Sequence, residues 1–78
     1  MNTFGQIPNA QIAVGTIMTR NNGKFISIVT SVDPINGDLE SKVIRHETIP
    51  ALEGTTQTHT AATAYAVYSP ISELAVKK

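Results

Sequence analysis

Three observations predict a small, mainly β protein: a four-stranded antiparallel meander closed by a short C-terminal helix. Ile, Val and Thr alternate with other residues over 11–32, dense turn-forming clusters interrupt the chain at 21–23 and 33–38, and a helix-start signature follows at 69–74. At 78 residues without cysteine the chain makes one domain, and a domain of this size buries only roughly 60–65% of the surface that its unfolded form exposes. Disulfides and thiolate metal sites are excluded, so oligomerisation or an unusually well-packed core has to supply the missing stability.

Residues 1–10 contain Gly5, Pro8 and Asn9, and Pro8 disfavours helix at Ile7. They predict an extended N-terminal arm that lies across its own sheet or reaches a neighbour. The two runs that follow, 11–20 and 24–32, flank Asn21-Asn22-Gly23 and read as a β-hairpin. A two-residue Asn22-Gly23 turn pairs Asn21 with Lys24, sets Val14 against Ser31 and Met18 against Ser27, and mixes apolar with polar residues on both faces. A three-residue loop pairs Arg20 with Lys24 instead. It gathers Ile12, Val14, Met18, Ile26, Ile28 and Val32 on one face, so burial favours this register. The other face then carries Ile17, Phe25 and Val29 among small residues, and either the chain itself or a partner must cover it.

The cluster at 33–38 ends the second strand. Residues 39–49 alternate less cleanly, with Leu39, Val43 and Ile49 on one parity and Ile44 on the other, and Pro50 terminates them. Glu40, Lys42, Arg45 and Glu47 suit an edge strand that must avoid strangers. Over 55–68 the signals conflict: Ala61, Ala62, Ala64 and Ala66 favour helix, whereas the threonines and the Tyr65–Tyr68 ending favour a strand. Ser69 as N-cap, Pro70 at the first helical position and Glu73 in the first turn read as a fresh helix start, which implies a fourth strand ending near Tyr68. The alternative is an α+β fold of three strands plus a helix at about 57–68.

Six basic and six acidic side chains balance, and only 15% of the chain is charged, against roughly 25% in an average soluble domain. Such a surface resists association poorly and argues against bulk binding to nucleic acid, which draws on many Lys and Arg contacts to phosphate. Residues 1–8 lack the basic start and apolar run of a signal peptide, and no apolar stretch reaches membrane-spanning length. The expectation is a soluble, cytoplasmic protein without membrane contact.

Catalytic signatures are weak. The carboxylates form no pair that must converge, and there is no nucleophile elbow, phosphate loop or His-Glu-x-x-His helix. If a hairpin around 51–54 places Pro50 opposite Thr55, then His46 falls opposite His59, but zinc needs a third ligand and Glu47 points to the other face. No enzyme, metal or cofactor is expected. On these grounds the chain reads as a non-catalytic interaction or assembly protein, for example a small viral or accessory subunit. It self-associates or docks on a larger protein, with Ile17, Phe25, Val29 and Tyr65 as the candidate interface. The alternative is a nucleic-acid binder that uses a basic hairpin tip, Arg20, Lys24 and Phe25, helped by Lys42 and Arg45. A third reading is an inhibitor that adds an edge strand to its target's sheet.

Overall fold

The computed structural model describes residues 2–21 and 23–72. Five antiparallel strands, β1 (Ile17–Arg20), β2 (Phe25–Val32), β3 (Leu39–His46), β4 (Thr56–His59) and β5 (Ser69–Pro70), form one sheet in the order β4-β3-β2-β1-β5. An α-helix, α1 (Ala61–Val67), joins β4 to β5, so the chain crosses from one edge of the sheet to the other. The protein is therefore mainly β, a meander plus a short helix, as the sequence predicts, with a fifth strand added. No helix among the described residues is long and apolar enough to cross a membrane.

The hairpin takes the register that sequence reasoning set aside. Met18 pairs with Ser27 and Arg20 with Phe25, and Lys24 N–H donates to the Asn21 carbonyl at 3.2 Å across the turn. Asn21 and Gly23 both have positive φ, 54° and 91°, which these two residue types tolerate. The predicted three-residue loop assumed that 11–16 belong to the strand and must put Ile12 and Val14 inward. In fact β1 begins only at Ile17, and Val14 sits 65% exposed in a turn closed by Gly15 at φ 92°. With Val14 released, nothing opposes the two-residue register.

Two bulges then correct the alternation. Between β2 and β3, Ile26 pairs with Arg45 but Ser27 with Val43, leaving Ile44 as the extra residue; Val29 pairs with Ser41 but Ser31 with Glu40, leaving Thr30. One bulge lies on each strand, so the register shifts cancel. Each also returns the next residue to the correct face: Val29 is buried and Val32 packs against the core, while buried Val43 and half-buried His46 share the inner side. The Thr30 hydroxyl donates to the Glu40 carbonyl at 3.1 Å and pins its bulge. Strand β3 pairs with both β2 and β4, so it is central, and its charges do not guard an edge. Between β2 and β3 the turn formers behave as expected. The Asp33 carboxylate accepts from the backbone N–H groups of Ile35 at 2.8 Å and Asn36 at 3.3 Å.

The core sits on one face of the sheet, where Met18, Val29 and Leu39 meet Phe4, Ile12, Ala64 and Tyr68. Residues 2–10 lie against their own sheet, one of the two arrangements expected of the arm, but they are not extended throughout. Phe4–Gln6 form a 3-10 turn, Phe4 N–H donates to the Tyr68 carbonyl at 2.9 Å, and the Phe4 side chain is buried. Residues 55–68 are likewise not one strand. Thr60 caps α1, its hydroxyl oxygen accepting from Thr63 N–H at 3.3 Å, and Ala64 packs in the core. A seven-residue helix is too short to persist without such packing. Ser69-Pro70 acts as a helix stop, which proline just beyond a C-cap also signals, and pairs with Thr19 and Met18 as an edge strand. Helix resumes at Ser72, later than the start predicted at Ser69-Pro70, and the rest of the predicted C-terminal helix, 73–78, lies outside the described residues.

Candidate functional site

Among the described residues, Phe4–Gln6 and α1 pack on the inner face of the sheet, which divides in two; on the outer face Thr19 and Ser69, opposite one another, are also buried. Beside the apolar core lies a cluster of rings and polar groups. Phe25 stands opposite Arg20 on one side and His46 on the other, with the Phe25 and His46 ring centroids 4.4 Å apart. The Arg20 guanidinium carbon is 4.8 Å from the Phe25 ring centroid and 5.7 Å from that of Tyr68, and Tyr68 meets His59 edge-on at 5.2 Å. Among the described residues Arg20 is thus held between two aromatic faces rather than by an acid. Its Nε, the His59 Nε2 and the Ser41 Oγ are buried and find no hydrogen-bond partner among the described residues.

The electrostatics follow from this packing. Burial, and then the Arg20 charge, hold the His59 pKa below the ordinary histidine value. Burial raises the Tyr68 pKa, and Arg20 offsets part of that rise. His46 is fixed differently: its Nδ1 accepts from Ile49 N–H at 2.9 Å, so Nε2 carries the proton of the neutral ring. The two histidines do not face one another across strands as the sequence predicts. His46 pairs with Phe25 on β2 and His59 with Leu39 on β3, because the connection between β3 and β4 is longer than a tight hairpin and includes a 3-10 turn at Pro50–Leu52.

The outer face is apolar along its middle. Ile17 stands opposite Ile28, and Ile28 in turn stands opposite Lys42; Ile26 lies between Thr19 and Arg45. Because of the bulge, Ile44 and Arg45 occupy the place of one residue opposite Ile26. Ile17 is 38% exposed, Ile44 48% exposed, and Ile26 and Ile28 are half-buried. Four isoleucines on three adjacent strands thus form a strip with cations at one side. The sequence points to Ile17 but assigns Ile26 and Ile28 to the core. Two signals locate the strip: the Asn-Gly turn, whose register puts Ile17 beside Ile28, and the break in parity at Val43 and Ile44, which marks a bulge.

The predicted interface residues do not share a surface. Val29 is 1% exposed and belongs to the core, Phe25 is half-buried on the inner face, and Ile17 lies on the outer face. Tyr65 is half-buried in α1, with its hydroxyl oxygen accepting from Ile12 N–H at 3.0 Å. The predicted nucleic-acid set is divided as well. Arg20 and Phe25 meet on the inner side and Lys24 is exposed at the turn between them, whereas Lys42 and Arg45 stand on the outer face, where Arg45 pairs with Glu47 at 2.6 Å. No protein-family model matches the chain, and the comparisons with curated proteins and with solved structures find no match either.

Proposed function

We propose that this protein is a non-catalytic assembly subunit that binds another protein surface through the outer face of its sheet. The observation that carries this reading is the strip of Ile17, Ile26, Ile28 and Ile44, which the fold does not use to build its core. Apolar side chains contiguous across adjacent strands gain roughly 25 cal/mol per Å² when a partner removes them from water. Lys42 and Arg45 at the margin of the strip supply polar rim contacts that fix orientation rather than affinity. The inner cluster supports no competing catalytic role, since Arg20 is engaged by two rings and the His46 Nδ1 by the backbone.

A photo-crosslinking amino acid placed at Ile44 tests this in cells that make the protein. The reading predicts adducts with one defined protein, lost when Ile17→Glu is added and absent when the crosslinker stands at Ile35 in the β2–β3 loop. Diffuse adducts of equal yield from both positions would oppose it. The nucleic-acid alternative keeps Arg20, Lys24 and Phe25 but not Lys42 or Arg45 on the same side. Retention on heparin at low salt, lost in Lys24→Glu and unchanged in Lys42→Glu, is the result that would favour it.

A further inference from the structure

We infer that β4 is a pairing edge for a second copy of this chain, joining two sheets antiparallel about a two-fold axis at Gln57. The hydrogen-bond directions come first. Val43 N–H donates to the Thr55 carbonyl at 2.8 Å and the Val43 carbonyl accepts from Gly54 N–H at 2.7 Å, so Val43 faces β4. On the other side of the sheet Val29 bonds to the β1 side, with its N–H donating to the Thr16 carbonyl at 2.9 Å. Its partner Ser41 therefore also faces β4, and alternation makes Gln57 and His59 the β4 residues that bond to β3. Thr56 and Thr58 then turn their N–H and C=O groups to the open edge, and both residues are exposed.

The two edges of the sheet differ in protection. At β5 the edge is two residues long and includes Pro70, which has no N–H to offer. At β4 the sequence 55–60, Thr-Thr-Gln-Thr-His-Thr, contains no charge and no proline, and its threonines favour extended structure. Among the described residues no backbone group pairs with the open side of β4, and a row of unpaired donors and acceptors without a charge, proline or bulge is a template for another strand.

The edge is also self-complementary. With the axis at Gln57, Thr56 of one copy stands opposite Thr58 of the other, and both present outward backbone groups, so the two symmetric pairs form four backbone hydrogen bonds. Thr opposite Thr is a favourable cross-strand pair, and the two Gln57 side chains meet at the axis with donors and acceptors for one another. No like charges are brought together. The axis runs perpendicular to the sheet, so the outer faces of both copies point the same way. This inference extends the outer-face reading above, since the dimer would present two isoleucine strips side by side and gain avidity for a repeated partner.

Few residues meet at such an edge, so the dimer belongs to the weak class of contacts and forms in the range of about 10 µM to about 1 mM. Sedimentation velocity of the full chain over that range tests it. Wild type should pass from monomer to dimer with concentration. Thr58→Pro removes only an outward N–H and should weaken the dimer at least about tenfold; Thr56→Lys/Thr58→Lys should do the same by opposing like charges. Mixing that variant with Thr56→Glu/Thr58→Glu should restore the dimer, which a misfolded variant cannot do. Wild type remaining monomeric throughout, or a dimer that survives both edge variants, overturns the inference. A dimer lost in Ile44→Glu but kept in the Lys variant also overturns it, while leaving the outer-face reading standing.

Discussion

Single residues carry unusual burdens on the inner face, and two of them make direct predictions. His59 has a pKa lowered first by burial and then by the Arg20 charge, so the folded chain resists protonation at this ring. The unfolded chain accepts the proton near pH 6.5, an ordinary histidine value. Stability attributable to His59 is therefore complete above that pH, falls as pH drops below it, and stops falling once the lower folded value is passed. Urea unfolding from pH 7.5 to pH 5 should show this loss in wild type, and His59→Gln should flatten it. Ser41 is fully buried with its hydroxyl unpartnered among the described residues. Since a buried hydroxyl without a hydrogen bond costs roughly 1–3 kcal/mol, Ser41→Ala should leave stability unchanged or raise it by about 1 kcal/mol in the same assay.

Individual elements show where the sequence was legible. The turn at 33–38 was readable because Asp33, Asn36 and Gly37 each satisfy a local backbone requirement that no distant contact can alter. Gly37 adopts φ 80°, and a methyl group there would come within 3.3 Å of the Ala61 Cβ at the start of α1. Gly37→Ala should thus cost about 1–2 kcal/mol, combining the left-handed penalty with that contact. Removal of the α1 cap by Thr60→Ala should cost about 1 kcal/mol.

The hairpin register and the position of the helix were not readable, for a shared reason. Both depended on which residues the rest of the chain would bury. Val14 leaves the strand because Gly15 turns the chain, and Ala61–Val67 coil because Ala64 finds Phe4 and Leu39 beneath it. Ser69-Pro70 follows α1 and precedes the helical residue Ser72, so its signature fits both a stop and a start, and local chemistry does not give the strand pairing between them. The bulge at Ile44 was visible as a break in parity, but a break alone does not tell which residue is extra.

As a whole the molecule sets a small core on the inner face against an outer face where Thr19 and Ser69 are buried but Ile17 and Ile44 remain exposed. The buried apolar residues Phe4, Ile12, Met18, Val29, Leu39, Val43, Ala64 and Tyr68 all lie on the inner side or in the segments packed on it. The isoleucines of the outer face are surplus to that core, and the proposed role in assembly rests on this separation of folding residues from binding residues. Thermal unfolding of Ile17→Thr/Ile44→Thr tests the separation most directly, since threonine keeps the branched β carbon that a strand prefers while removing apolar surface. If the strip serves a partner, the isolated double variant loses no more than about 1 kcal/mol, the usual scale for surface positions. A loss of about 3 kcal/mol or more, as for a truncated core residue, would mean that the fold itself depends on the strip and would contradict its assignment as a binding surface.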